Sequence, residues 1–270
     1  MTSSTLGLNS KVALVTGSAS GIGEAIARRL GAEGARVIVH GPAERGAEAE
    51  KVAGEIRAAG GEAVVELAEL TDAEECARLI AAVVARFGRI DMLVNNAGIS
   101  PRGDLAQTDA AFFDRVIQTN LRAPLLLIRA ALPHFKKQGG GRVLNIGSIN
   151  AYCGEAGLLA YSISKGGMTT MTRNLADAHG RDGLRVNQIN PGWVLTANEH
   201  AIKVREGLSE DWFRQIPREH APGGRIFQPE EIAHFAVQFL GQPGELVNGT
   251  VMELEQFPLI GRNPVKASGF

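Results

Sequence analysis

The sequence predicts an α/β fold: one doubly wound parallel β-sheet with helices on both faces. Three observations predict it. Short β-branched runs alternate with longer stretches of helical spacing along the chain. The strand-like runs are almost continuously apolar, as strands covered on both faces are. A glycine-rich turn, Gly17-Ser18-Ala19-Ser20-Gly21-Ile22-Gly23, joins the first such run to the first helical stretch.

The elements follow in order. Residues 12–16 are the first strand, and residues 21–33 place Ile22, Ala25, Ile26, Arg29 and Leu30 at helical spacing. Residues 37–39 form the second strand. Residues 43–59 form a helix with Ala49, Val52, Ala53 and Ile56 on one face. Residues 63–67 are the third strand, and Thr71-Asp72 opens a helix carrying Cys76, Leu79, Ile80 and Val83. Residues 90–94 are the fourth strand. Helices are expected over 108–119 and 121–137, a strand over 143–146, a helix over 160–179 and a strand over 184–189. A helix over 229–240 and a strand over 250–254 complete the pattern. Right-handed crossovers between such units give a doubly wound sheet. No linker or composition break divides the chain, so residues 1–270 read as one domain. Residues 192–227 read as a long irregular connection, of the kind that forms a lid over a site.

Composition narrows the function classes. The chain has 28 Lys+Arg against 29 Asp+Glu, a net charge of −1. That balance gives no general attraction to nucleic acid or an anionic membrane. Residues 1–11 lack a signal-peptide apolar core, and the apolar stretches are too short for a membrane span. Two cysteines, Cys76 and Cys153, form neither a disulfide framework nor a metal cluster. His134, His179, His200, His220 and His234 have no ligand spacing with Cys or carboxylates, so no metal is expected. A cytoplasmic protein in a reducing compartment is the expectation.

The glycine turn points to a dinucleotide. Glycines there let the backbone approach a pyrophosphate, and the following helix presents free N–H groups to it. Its spacing is GxxxGxG. Farther along, Tyr161 and Lys165 share one helix face at i and i+4. A free tyrosine has a pKa of about 10 and is a poor base at neutral pH, and a nearby ammonium lowers it. Such a tyrosine can protonate a carbonyl oxygen or deprotonate an alcohol. Ser148, after the fifth strand, can hold the same oxygen.

With these motifs in order, the sequence resembles the short-chain dehydrogenase/reductase family over nearly its whole length. The matching positions are Thr16 to Gly23, Asn95-Asn96-Ala97-Gly98, Asn120, Ser148, Tyr161-Ser162-Ile163-Ser164-Lys165 and Asn190-Pro191-Gly192. The resemblance implies a Rossmann-type fold and an NAD(P)-dependent oxidoreductase. It implies Tyr161 as general acid or base, Lys165 as the group that lowers its pKa and bonds the nicotinamide ribose, and Ser148 as the substrate-oxygen donor. Asn120 would hold a water in a proton relay, or satisfy backbone groups at a helix kink. Gly17, Ser20, Gly21, Ile22 and Gly23 would cradle the cofactor, with Asn96, Ala97 and Gly98 flanking its adenosine ribose. Pro191, Gly192 and Val194 would pass the nicotinamide. Thr196 would sit near its carboxamide, or act only as a cap. Relatives are commonly tetramers or dimers, so a homo-oligomer is implied, with the 121–132 and 161–177 helices as candidate interfaces.

The sequence departs from the pattern in places. No carboxylate ends the second strand, which reads Val39-His40-Gly41-Pro42. With Gly41 there, nothing excludes a 2′-phosphate, and His40 or Arg45 could contact one; NADP is therefore favoured over NAD. His40 could equally be a satisfied strand-end histidine. Glu69, beside Leu70, stands where the family usually has Asp near the adenine. Gly147 stands where it often has Ser. Beyond Thr250 the chain continues through an apolar stretch, residues 257–260, to Phe270.

The substrate pocket should lie over the strand ends, under a lid carrying Trp193, Trp212 and Phe213 beside Glu199, His200, Asp211 and His220. Aromatic faces with hydrogen-bonding groups suit a sugar, polyol or other small polar alcohol or carbonyl compound, and Glu155 could add a contact. A 3-oxoacyl-carrier-protein reductase is the alternative; it calls for a basic patch, for which Arg102, Arg122 and Arg129 are scattered candidates. A catalytically silent nucleotide-binding regulator is more distant, because Ser148, Tyr161, Lys165 and Asn120 are all retained.

Overall fold

The computed structural model describes residues 6–152 and 154–258. Its strands are β1 (Val12–Val15), β2 (Arg36–Gly41), β3 (Glu62–Leu67), β4 (Met92–Asn95), β5 (Gly141–Ile146), β6 (Leu184–Pro191) and β7 (Val251–Leu254). They form one sheet in the order β3-β2-β1-β4-β5-β6-β7, and every pair is parallel. The order reverses between β1 and β4, and ligands of such sheets bind at the carboxyl ends of the strands near that point.

Helices α1 (Gly21–Ala32), α2 (Gly46–Ala58), α3 (Ala73–Phe87), α4 (Ala110–Ile117), α5 (Ala123–Lys137), α6 (Leu159–His179), α7 (Ala197–Arg205) and α8 (Pro229–Leu240) cover the sheet. The two faces bury separate cores. Ile26 and Leu30 of α1 and Val237 of α8 join Val15 and Val37 on one side. Leu79 and Ile80 of α3 and Leu127 of α5 join Leu14 and Leu93 on the other. Each such large apolar side chain contributes about 1.5–3 kcal/mol on burial. Local signals fix the ends of α3. Asp72 accepts from the Glu74 amide at 2.8 Å, and Gly88 closes the helix in the left-handed region at φ +72°.

Several expectations need correction. The 43–59 helix begins as a 3-10 turn, Ala43–Arg45, before α2. The break between α4 and α5 is a π-helical turn, Gln118–Arg122, holding Asn120. The 192–227 connection is not wholly irregular. It contains α7, capped by Thr196, and a 3-10 turn at Trp212–Arg214. Its aromatics form a small core of their own around Trp212, Ile216, Ala221 and Ile226. Residues 259–270, with most of the C-terminal apolar stretch, and Cys153 lie outside the described residues.

Candidate active site

The glycine turn closes on the end of β4. Gly17 and Gly21 have φ of +63° and +61°, where a side chain is strained. A Cβ on Gly17 would lie 2.9 Å from the Ala97 Cα. Thr16 Oγ1 accepts from the Asn96 and Ala97 amides at 3.0 and 3.1 Å, and Asn96 Nδ2 donates back to the Thr16 carbonyl at 2.9 Å. The Ser20 side chain makes no capping bond to α1. The first-turn N–H groups of Gly21, Ile22 and Gly23 are thus left for an anion, which fits a pyrophosphate.

His40 braces the turn itself. It is buried, its Nδ1 accepts the Gly17 amide at 3.1 Å, and its Nε2 lies 3.2 Å from the Ala68 carbonyl. Both ring nitrogens are thus engaged, and burial lowers its pKa to about 4, which favours the neutral imidazole. Glu69 is likewise engaged locally, accepting from the Thr71 amide at 2.9 Å and hydroxyl at 2.8 Å, while Leu70 is buried. Both bonds fall on Oε1, so the second carboxylate oxygen of exposed Glu69 stays open to solvent. Arg45 differs. Its Cβ would stand 3.5 Å from a Cβ on Gly41, and its nearest carboxylate contact is Nε to Glu48 at 3.7 Å. Nε is shielded yet has no hydrogen-bond partner among the described residues.

Farther along the same edge, Lys165 is buried and donates to the Ile146 carbonyl at 2.8 Å. Burial lowers its pKa to about 8. Its Nζ lies 5.6 Å from the Tyr161 ring centroid. Burial raises the Tyr161 pKa, a hydrogen bond with Ser148 lowers it, and the Glu199 carboxylate raises it. Gly98 completes the group: a Cβ there would be 3.2 Å from Asn120 Oδ1 and 3.7 Å from Lys165 Nζ. Asn120 itself accepts from the Ile99 amide at 2.8 Å and donates to the Ile99 carbonyl at 2.8 Å and to Ser164 Oγ at 3.1 Å. Both amide donors are therefore committed, so a water relay through this side chain is confined to the remaining lone pair of Oδ1.

Ser148 is held by the motif residue Asn190 and, through it, by amides with no motif signature, Gln188 and Asn145. Its amide donates to Asn190 Oδ1 at 3.1 Å. Asn190 also accepts from Gln188 Nε2 at 2.7 Å, and Gln188 and Asn145 meet on Thr172 of α6. Asn95, Asn145 and Gln188 stand in register across β4, β5 and β6. The visible signal was a set of amides inside otherwise apolar strand runs. This network also accounts for Gly147, because a Cβ there would run into the Asn190 and Gln188 side chains.

The lid meets the site at both ends. The Gly192 amide donates to the Leu254 carbonyl at 2.8 Å, with Pro191 buried before it and Val194 after it. Thr196 Oγ1 accepts from the Glu199 amide at 3.0 Å, and a Cβ on Gly21 would be 3.4 Å from its methyl group. Trp193 donates to Glu199 at 2.8 Å and stacks on Trp212 with centroids 5.2 Å apart. Arg102 pairs with Glu155 at 2.7 Å and with Glu206 of the lid at 2.6 Å. Glu155 and Arg102 therefore satisfy each other. Among the described residues, no group of three or more His, Cys, Asp or Glu side chains could hold a metal, and no helix is long and apolar enough to cross a membrane.

The family model described as short chain dehydrogenase matches residues 11–207. The chain belongs to that family. As a short-chain dehydrogenase it is an oxidoreductase, and its relatives agree. It is 35% identical, over 91% of its own length and 95% of the relative's, to a cis-4-hydroxycyclohexanecarboxylate dehydrogenase of Sinomonas cyclohexanicum. It is 34% identical, over 83% and 86%, to an L-rhamnose 1-dehydrogenase (NAD(P)(+)) of Azotobacter vinelandii. A 7α-hydroxysteroid dehydrogenase solved with NADH and 7-oxo glycochenodeoxycholic acid superposes with a TM-score of 0.85 at 29% identity, covering 94% of this short-chain dehydrogenase and 96% of that chain.

Proposed function

We propose that the enzyme interconverts a secondary alcohol and a ketone, with Tyr161 moving the proton. The convergence of Ser148, Tyr161 and Lys165 on the strand-end edge that carries the glycine turn is the observation behind this reading. With a pKa of about 8, Lys165 is mostly charged at neutral pH, and its ammonium favours the Tyr161 phenolate against the effect of burial. In reduction Tyr161 donates its proton to the carbonyl oxygen; in oxidation it takes the alcohol proton. Ser148 holds that oxygen. Asn120 acts as a positioning residue, tying the Ile99 backbone to Ser164 and so to the helix that carries Tyr161 and Lys165.

A bound nicotinamide nucleotide supplies or accepts the hydride. Gly17, Ser20 to Gly23, Gly41, Asn96 to Gly98, Pro191, Gly192, Val194 and Thr196 would hold it. NADP is favoured over NAD, because Gly41 offers no carboxylate and Arg45, paired only loosely with Glu48 at 3.7 Å, stands beside it. The protein is read as a single cytoplasmic domain that assembles as a homo-oligomer, with exposed Leu125 of α5 and Ile163 of α6 as contacts.

The substrate is read as a neutral polyhydroxy compound. Glu199 lies close enough to Tyr161 to affect its pKa, and one of its oxygens is fixed by Trp193. A carboxylate there accepts from substrate hydroxyls and repels substrate anions. The relatives include an L-rhamnose dehydrogenase and a hydroxycyclohexanecarboxylate dehydrogenase, so the neutral charge of the substrate rests on Glu199 alone. Arg102, tied up in two ion pairs, offers nothing to an acidic carrier protein. The test is a panel of neutral sugars and cyclic polyols against matched carboxylic acids, followed by nicotinamide absorbance with each nucleotide. Neutral compounds are expected to show kcat/KM at least about tenfold higher. Preferred turnover of the acids would overturn the substrate class.

A further inference from the structure

At the opposite end of the sheet, a cavity of about 340 Å³ opens beneath the N-terminal ends of β1, β4, β5 and β6. That volume falls at the lower end of the range of about 300–1,000 Å³ typical of small-molecule sites. Its lining carries four cations, Lys11, Arg89, Arg142 and Arg185, against two carboxylates, Asp91 and Glu245.

Asp91 is already committed. Arg89 forks onto it at 2.8 and 2.5 Å, Lys11 lies 3.8 Å away, and Oδ2 also accepts the Val12 amide at 2.9 Å. Among the described residues, the hydrogen bonds of the other two guanidiniums go to neutral carbonyls. Arg142 donates to the Leu240 carbonyl, and Arg185 donates to the carbonyls of Glu245 and Gly180 at 3.1 Å and of Leu184 at 3.3 Å. Burial disfavours the charge on Arg142, Glu245 attracts it, Arg185 repels it and Asp91 attracts it more weakly. Leu240 ends α8, so a helix C-terminus explains one N–H of Arg142. Gly180 caps α6, so a helix C-terminus likewise explains one N–H of Arg185. Arg142 and Arg185 stand side by side in register on β5 and β6 and line one cavity, so a bridging dianion would accept charge-assisted hydrogen bonds from both.

We propose that this cavity is a second ligand site, distinct from the nucleotide cradle, that binds a compact phosphate monoester between Arg142 and Arg185. The test is calorimetric titration of inorganic phosphate into the whole enzyme, pre-saturated with NADPH or, where NADH binds tighter, with NADH. Saturation keeps the phosphate positions of the glycine turn filled, and ionic strength is held constant with chloride. One site per chain is expected, weakened at least about tenfold in Arg185→Gln and in Arg142→Lys. Both variants should bind the nucleotide as the wild type does, which separates lost anion binding from misfolding. Absence of saturable binding up to about 20 mM phosphate, weaker than any affinity of interest, would overturn the proposal. So would binding unchanged in Arg185→Gln.

Discussion

Gly41→Asp tests the cofactor reading at a single atom's distance. The change is sterically mild. A Cβ at 41 would sit 3.4 Å from the Ala19 Cβ and 3.5 Å from the Arg45 Cβ, both ordinary contacts, and Gly41 is not among the residues with positive φ. The new carboxylate would end β2 where a ribose 2′-phosphate would lie. At a separation of about 5 Å and an effective dielectric of about 20, two unit charges repel by roughly 3 kcal/mol. A phosphate carries more than one charge, and salt and partial exposure reduce the effect, so about 2–3 kcal/mol remains. The carboxylate would also compete with Glu48 for Arg45 and draw that cation away from a 2′-phosphate. NADPH affinity should therefore fall by roughly 30- to 150-fold. NADH affinity should hold or improve, because the carboxylate accepts from both ribose hydroxyls. Nicotinamide fluorescence titrations of wild type and variant at fixed salt read both constants. A NADPH to NADH ratio that moves less than about threefold would refute the reasoning and leave Gly41 without a role in selection.

Two further predictions concern buried titrating groups. Lowering Lys165 from 10.5 to about 8 corresponds to about 3 kcal/mol of native-state penalty at neutral pH. Lys165→Met should stabilise the nucleotide-free enzyme, by about 2 kcal/mol after the lost bond to Ile146 is deducted, while abolishing turnover. Between pH 8 and 10.5 the unfolded chain keeps this proton and the native chain does not, so wild-type stability rises there and the gap to the variant narrows. Urea unfolding of both proteins at pH 7 and pH 10 checks it, and a destabilised variant at pH 7 contradicts it. His40 acts at the acid end. Its pKa is 6.5 unfolded and about 4 folded, so stability should fall by up to about 3 kcal/mol as pH drops from 6.5 to 4. In His40→Gln that acid limb should flatten, and an unaltered limb would show that another group carries it.

Most of the fold was legible because its signals are local and repeated. Apolar runs gave the strands, and a cap such as Asp72 with a closing glycine such as Gly88 marked a helix. The motif residues were legible because the chemistry needs those side chains in that order. What escaped depended on tertiary contact. His40 in sequence is equally a phosphate ligand or a brace, and only its bonds to Gly17 and Ala68 decide between them. The amides of Asn145 and Gln188 look like blemishes in apolar strands until their shared register with Asn95 and their contact with Thr172 are seen. The lid helix α7 lacks a clear apolar face and buries no residue fully, so it left little periodicity to read. The pairing of Arg102 with Glu206 spans 104 residues, beyond any local pattern.

The most direct measurement of the central claim pairs turnover with nucleotide binding in Tyr161→Phe. Turnover is expected to fall by at least about a thousandfold, with NADPH and NADH affinities within about twofold of wild type, because the phenol oxygen moves the proton and the glycine turn holds the nucleotide. Turnover kept at the wild-type level with the same substrate would contradict it and require another group to move the proton.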